Sequence, residues 1–209
     1  MCNSHDIDKR LSDLKDGLSS IIKSFEDLNP GYDRDLGLST SPDNDLLLGR
    51  SLLVLGHAEL ESFFESLAFD LLESSLQIWE KENFVNYNLA ALLFNTSCNK
   101  LKEDLFSDIP KEAVKKYKNN ILEKNHGIKK KDLINLYRPI GYNLDKIDND
   151  KIKKLIEALD FLGGRRGESA HHNQCSIQNP LSFPEVVTKF SEITSNYLDS
   201  FVDFLKEPL

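Results

Sequence analysis

The stretch that decides the fold runs from Asp45 to Glu80 and reads DLLLGRSLLVLGHAELESFFESLAFDLLESSLQIWE. It contains no proline, and its leucines and phenylalanines recur at steps of three and four residues, which is the spacing of one face of an α-helix. Its first third is apolar on several sides, as expected of a helix at the centre of a bundle. The sequence therefore predicts one long, largely buried helix against which other helices pack.

Three further segments carry a helical stripe of apolar residues, one near each end of the chain and one after residue 150. The last of them is predicted to begin at Ser182, because Ser182 and Glu185 have the spacing of a capping box and Pro184 falls in the first turn. Together these segments predict an all-α protein, a helical bundle of four long helices. The stripes consist of Ile7, Leu11, Leu14, Leu18, Ile21, Ile22 and Phe25; of Ile152, Leu155, Ile156, Leu159 and Leu162; and of Val186, Phe190, Ile193, Tyr197, Phe201 and Phe204.

The region of residues 83–150 is less regular, and we interpret it as an irregular helical insertion in a single domain of residues 1–209. It is predicted to hold short helices near residues 90–94, 111–124 and 131–137. It is also basic: residues 111–154 contain 13 Lys and Arg residues against 6 Asp and Glu residues, a net charge of +7 in a chain whose formal net charge is −8. Such a region attracts a polyanion, although lysines on solvated helix faces explain the same composition.

Composition excludes several classes of protein. No window approaches the roughly 18 consecutive apolar residues of a membrane span, and the start, MCNSHDIDKR, has no apolar core of a signal peptide. The three cysteines, Cys2, Cys98 and Cys175, are odd in number and far apart, which indicates reduced thiols rather than a disulfide framework. We expect a cytoplasmic protein that has no membrane partner.

The residues that could carry chemistry are concentrated in GGRRGESAHH, from Gly163 to His172. Arginine binds phosphate through a planar, permanently charged fork, and histidine can both accept and donate a proton near neutral pH. An imidazole that deprotonates a ribose 2′-hydroxyl and a cation that stabilises the charged phosphate are what RNA cleavage without a metal requires.

Geometry limits this hypothesis. On a straight helix two residues five positions apart are about 140° apart around the axis, so Arg166 and His171 would not share a face. Either the helix is disturbed here, which the adjacent glycines favour, or the two side chains meet across a subunit interface. Arg50 and His57 do share a face of the second helix, and we interpret them as a polar strip on a buried helix.

The segment RGESAH, Arg166 to His171, resembles the R-N-x-x-A-H form of the R-x4-6-H motif of HEPN domains, which are all-α ribonuclease and nucleotide-binding modules of prokaryotic toxins and defence systems. As in that family, the motif follows an amphipathic helix and precedes the last helix. The stretch GHAELESFFESLAFDLL, from Gly56 to Leu72, is similar to the family's long helix. The overall layout resembles the RiboL-PSP branch.

The resemblance implies a homodimer that cleaves RNA without metal or other cofactor, with Arg166 clamping the scissile phosphate and His171 as the general acid/base. It implies supporting roles for Arg165, Glu168, Ser169, His172 and, as the acidic residue of the long helix, Glu61. It also implies a toxin or antiphage-defence effector with an antitoxin or other defence-system protein as partner. Gly167 departs from the family pattern, which has a polar residue there.

Several alternatives stay open from the sequence. Arg165 and His172 allow other Arg/His pairings, because every combination fits the motif spacing. Some HEPN domains are non-catalytic modules that bind a nucleotide or a partner protein. Arg165, Arg166 and Glu168 can also be explained as a surface ion-pair cluster, and a metal site at His171 or His172 with Cys175 and His126 would have only one loose ligand pair.

Overall fold

The computed structural model describes residues 4–29, 31–33, 35–36, 38–39, 42–96, 108–171 and 180–206. Within them the chain forms helices α1 to α8 and a short ribbon of two-residue antiparallel strands, β1 and β2, in which Tyr32 pairs with Ser39. The bounds are α1 Ser4–Asp27, β1 Tyr32–Asp33, β2 Leu38–Ser39, α2 Pro42–Glu82, α3 Tyr87–Asn95, α4 Ile109–Asn120, α5 Lys130–Tyr137, α6 Asp150–His171, α7 Phe183–Glu192 and α8 Leu198–Lys206. The predicted all-α architecture is confirmed.

Helix α2 is the central element, and its 41 residues extend the predicted segment by a few residues at each end. Its apolar side chains contact α1, α6 and α7, which explains why its sequence is apolar on several sides. The α1 residues Ile7, Leu11, Leu14 and Leu18 are buried as predicted. Helices α2 and α7 approach closely at Gly49 and Gly56, where an added Cβ atom would lie 2.7 Å from backbone atoms of residues 181–183 and 2.3 Å from Cζ of Phe190, respectively.

The region of residues 83–150 contains short helical elements in its described part. In addition to α3, α4 and α5 it has single 3₁₀ turns at Leu122–Lys124, Arg138–Ile140 and Leu144–Lys146. Apart from the turn at Leu122–Lys124, these elements carry buried side chains of the same hydrophobic cluster as the long helices. The cluster is bridged by aromatic contacts, in which the Tyr137 ring lies 5.3 Å from the Phe201 ring and the Tyr137 hydroxyl donates a 2.9 Å hydrogen bond to the Phe64 carbonyl.

The predicted last helix is α7, a π-helical turn at Ile193–Tyr197 and α8 in direct succession. Its capping box is confirmed, since the Ser182 backbone N–H donates to the Glu185 carboxylate at 2.8 Å. Among the described helices none is both long enough and apolar enough to cross a bilayer.

Candidate active site

Arg166 lies on the inward face of α6, where it extends the buried stripe. Leu155, Leu159 and Leu162 are each 0% exposed, and position 166 follows Leu162 by one helical turn. The side chain of Arg166 is half-buried, and its Nε atom is buried without a hydrogen-bond partner among the described residues. A permanently charged donor is therefore held at the end of the apolar seam between α6 and α2.

The α2 face toward Arg166 carries His57 and Glu61, which are one turn apart. His57 is 2% exposed, and its Nδ1 atom lies 3.4 Å from Oε2 of Glu61 without forming a hydrogen bond. Burial lowers the pKa of His57 to about 4, and the positive charges of Arg166 and Lys129 contribute to the lowering. The imidazole is therefore neutral at pH 7.

The Glu61 carboxyl is subject to opposing effects. Burial raises its pKa, and the negative charge of Glu65 raises the pKa further, whereas Arg166 and His126 act in the opposite direction. Glu61, to which the family resemblance assigns a supporting role, thus lies within the electrostatic reach of Arg166.

The loop of residues 125–129 connects α2 to α6 and brings further charge to the site. The Asn125 side chain donates a 2.8 Å hydrogen bond to Oε1 of Glu65, and the Lys130 backbone N–H donates a 3.1 Å hydrogen bond to Oδ1 of Asp160. Lys129 packs across Gly163, where an added Cβ atom would lie 2.8 Å from its Cγ. Gly163 therefore permits the Lys129 side chain to lie close against α6.

The two adjacent arginines are in different surroundings. Nη1 of Arg165 lies 3.1 Å from Oε2 of Glu168, and the Arg165 guanidinium lies 5.4 Å from the centre of the Phe161 ring. The alternative that Arg165, Arg166 and Glu168 form only an ion-pair cluster therefore holds for Arg165 and Glu168 and does not hold for Arg166. Of the predicted site residues, Arg166 and Glu61 lie within electrostatic range of each other, and Arg165 is paired with Glu168.

Helix α6 continues without interruption through Gly163, Gly164 and Gly167 to His171. Of the two alternatives that the sequence leaves open, a disturbed helix is therefore wrong over the described residues, because the buried stripe continues through the glycines and keeps the segment helical. Positions 166 and 171 are on different faces of α6, about 140° apart. The meeting of Arg166 and His171 across subunits stays a prediction; the side chains of Ser169 and His171, and all of His172, lie outside the described residues.

Position 171 shares a face of α6 with Gly164 and Gly167, which lie seven and four residues before it along the helix. An added Cβ atom at either glycine would meet nothing within 4 Å. This face, the glycine face, is therefore open in the described chain. Gly167, where the family has a polar residue, therefore lies beside open space and not beside a cavity enclosed by other side chains.

Sequence reasoning misses His57 and Lys129. It interprets His57 with Arg50 as a polar strip, although His57 precedes Glu61 by one turn and so shares its face. That spacing is the available signal. Lys129 carries no signal, because its position at the site depends on contacts of the loop and the start of α5 with residues far away in sequence.

The basic region of residues 111–154 is partly neutralised by neighbouring carboxylates. Lys111 pairs with Glu80 at 3.0 Å, and Asp145 lies between Lys130 and Arg138. Among the residues whose side chains are described, no group of three or more His, Cys, Asp or Glu is arranged to hold a metal ion. The alternative metal site is not tested by this, since His171, His172 and Cys175 lie outside that set.

The comparison with protein families agrees with this architecture. The family described as RiboL-PSP-HEPN matches residues 6–207, which is nearly the whole chain. The chain belongs to the RiboL-PSP-HEPN family. No curated protein and no solved structure matches it. Membership of this HEPN family indicates a HEPN-type function, which is often that of a ribonuclease.

Proposed function

We propose that this HEPN protein is a metal-independent endoribonuclease that acts as a homodimer. Arg166 clamps the scissile phosphate and His171 is the general acid/base. The observation that supports this most is the state of Arg166, whose buried Nε atom has no hydrogen-bond partner among the described residues, while the neighbouring Arg165 is occupied by Glu168 and Phe161. The terminal nitrogens of this guanidinium are permanently charged donors, which phosphate oxygens would satisfy.

The proposed reaction is an internal transesterification. An imidazole accepts the proton of the ribose 2′-hydroxyl, the 2′-oxygen attacks the adjacent phosphorus, and the bond from phosphorus to the 5′-oxygen breaks. The leaving oxygen takes a proton, so the products carry a 2′,3′-cyclic phosphate and a 5′-hydroxyl. Arg166 stabilises the additional negative charge on the phosphate oxygens in the transition state.

A dimer is part of the proposal because one straight α6 holds positions 166 and 171 on different faces. A two-fold axis brings two copies of the same segment together, so that Arg166 of one copy can approach His171 of the other. The open glycine face supports this arrangement, since it permits a second helix or an RNA backbone to come close to position 171.

The first experiment is incubation of RNA with purified protein in EDTA, followed by analysis of the product ends. Wild-type protein is expected to cut, and Arg166→Ala and His171→Ala are each expected to stop cutting while circular dichroism shows unchanged helicity. Arg165→Ala is the discriminating variant, because Arg165 is tied to Glu168 and we expect most of its activity to remain. Full activity in both Arg166→Ala and His171→Ala would refute the proposal, and loss of activity in Arg165→Ala alone would assign the phosphate to Arg165.

The second experiment tests whether the working pair comes from two subunits. Arg166→Ala and His171→Ala chains, each inactive, are mixed and allowed to exchange subunits. If Arg and His act in trans, half of the dimers are mixed and each has one intact site, so about a quarter of wild-type activity returns. If they act within one chain, mixing restores nothing.

The setting we propose is that of a toxin or antiphage-defence effector restrained by a partner protein. Expression of the wild-type chain is then expected to arrest growth, whereas expression of His171→Ala is not. Equal growth with both would remove this part of the proposal without touching the nuclease itself.

A second candidate, a non-catalytic module that binds a nucleotide or protein, is favoured by one observation. Gly167 provides no polar side chain at a position where the family has one, and its surroundings are open. This candidate predicts binding of RNA or nucleotide that Arg166→Ala weakens while RNA incubated with the wild type stays intact.

A further inference from the structure

Two buried polar atoms without hydrogen-bond partners in the described chain belong to the packed helices α2 and α6 and lie within electrostatic range of each other. They are Nδ1 of His57 and Nε of Arg166. Both side chains extend from the helix faces that form the seam, and the charge of Arg166 is close enough to act on the imidazole. Unpaired buried polar atoms are uncommon in proteins, so two at one functional seam call for an explanation.

The chemistry of the two atoms is complementary. Arg166 has only N–H donors, and it keeps its charge at any physiological pH. His57 is neutral, because burial and the positive charges of Arg166 and Lys129 disfavour a second proton. A neutral imidazole has one bare nitrogen that accepts a hydrogen bond. On its own helix His57 Nδ1 lies 3.4 Å from the Glu61 carboxylate without hydrogen-bond geometry, so Nδ1 has no hydrogen-bond partner among the described residues.

We propose that His57 is a positioning residue of the nuclease site, whose Nδ1 atom accepts the Nε–H of Arg166 when the guanidinium engages phosphate. Nε lies at the base of the guanidinium fork, so a bond to Nε–H fixes the plane of the fork and leaves the two terminal nitrogens for phosphate oxygens. His57 itself is too deeply buried to touch RNA. This inference rests on the proposed function of Arg166, and its test separates the two.

The kinetic test compares three variants of His57 with the wild type. His57→Asn keeps an acceptor close to the place of Nδ1, His57→Gln moves it toward the place of Nε2, and His57→Leu removes it at similar size. We expect His57→Leu and His57→Gln to lower kcat for RNA by about a hundred-fold, since a small misplacement of a clamp costs this much. KM should change little, and His57→Asn should restore kcat to within about ten-fold of wild type.

A merely structural role predicts a different pattern. If His57 only filled space, the loss of activity would follow the loss of thermal stability, and Asn, which is smaller and polar, would be no better than Leu. Wild-type kcat in His57→Leu would overturn the inference, as would equal losses in His57→Asn and His57→Leu. A melting temperature of His57→Leu at or above that of wild type, combined with the loss of kcat, supports positioning.

A spectroscopic test does not depend on nuclease activity. The Nε–H signal of Arg166 is observed by ¹⁵N NMR and assigned by its loss in Arg166→Lys, with inorganic phosphate as the probe. At saturating phosphate we expect slow exchange of this proton with water in the wild type and in His57→Asn, and fast exchange in His57→Leu. Equal exchange rates in wild type and His57→Leu would overturn the positioning role of His57. If the wild-type protein does not cut RNA but its Arg166 Nε–H exchanges as expected, the nuclease proposal is refuted and the hydrogen bond between His57 and Arg166 is supported.

Discussion

Two glycines of α6 provide a sharp test of the helix geometry, because the structure assigns them a free Cβ direction. Gly164 and Gly167 are inside the helix Asp150–His171, and an added Cβ atom would meet nothing within 4 Å at either position. Alanine is favoured over glycine in a helix interior by about 0.5–1 kcal/mol per site. The double variant Gly164→Ala/Gly167→Ala should therefore raise the free energy of unfolding by about 1–2 kcal/mol.

For a chain of this size that gain corresponds to an increase of about 2–8 °C in melting temperature. The assay is thermal unfolding followed by circular dichroism at two protein concentrations, because any contribution from dimer formation depends on concentration and the helix-propensity gain does not. The RNA-cleavage assay on the same variant then reports on the glycine face itself, since the new methyl groups occupy the space that a second subunit would approach.

Gly56→Ala is the matched control, because it makes the same change in the helix α2. There the added Cβ atom would lie 2.3 Å from Cζ of Phe190, whose side chain is 0% exposed. Overpacking costs about 1–3 kcal/mol, which outweighs the propensity gain, so this variant should melt below wild type. Stabilisation by Gly56→Ala, or destabilisation by the α6 double variant at low concentration, would show that α2 and α6 pack in a different way.

Three further predictions concern pH, packing and salt. The pKa of His57 is lowered to about 4 in the folded state, so below about pH 6.5 the unfolded state binds a proton at this residue and the folded state does not. The free energy of unfolding should therefore fall by about 2 kcal/mol between pH 7 and pH 5 through this group. Urea titrations should show a smaller fall in His57→Leu, in which Glu61, Arg166 and Lys129 are unchanged. Tyr137→Phe should lower the free energy of unfolding by about 1 kcal/mol, because the buried hydroxyl bonded to the Phe64 carbonyl is lost; an unchanged urea midpoint would contradict that bond. If the basic region of residues 111–154 holds RNA, affinity measured by fluorescence anisotropy should fall steeply between 50 and 200 mM salt, and affinity indifferent to salt would place RNA on another surface.

The long helices could be predicted because each shows its buried face in the sequence as a stripe at steps of three and four residues. The α1 stripe of Ile7, Leu11, Leu14 and Leu18 is buried almost without change, and the Ser182 capping box marks the start of α7. The course of α6 through its glycines could not be predicted from propensity. Each glycine disfavours the helix by about 1 kcal/mol, but the stripe of Leu159, Leu162 and Arg166 is held by tertiary contacts that the local sequence does not show.

The candidate site is predictable in its arginine and acidic residue, and unpredictable in its surroundings. Glu61 and Arg166 are identified by resemblance to the HEPN family, and the structure places them within electrostatic reach of each other. Lys129 reaches the site because Asn125 bonds to Glu65 and Gly163 admits the lysine stem. These contacts join residues about 35 to 60 positions apart, and no periodicity encodes them.

The helical rotation of α6 explains why neighbouring residues of one motif lie in different surroundings. Position 166 continues the buried stripe, position 165 lies beside Phe161 and Glu168, and position 171 shares the open glycine face. Helix α6 is uninterrupted through this segment, so its backbone places positions 166 and 171 about 140° apart around the helix axis. On the buried face of the motif, His57 and Glu61 of α2 lie within electrostatic range of Arg166. In the proposed nuclease, one chain supplies Arg166 on one face of α6 and position 171 on another, and we propose that the association of two chains completes each site.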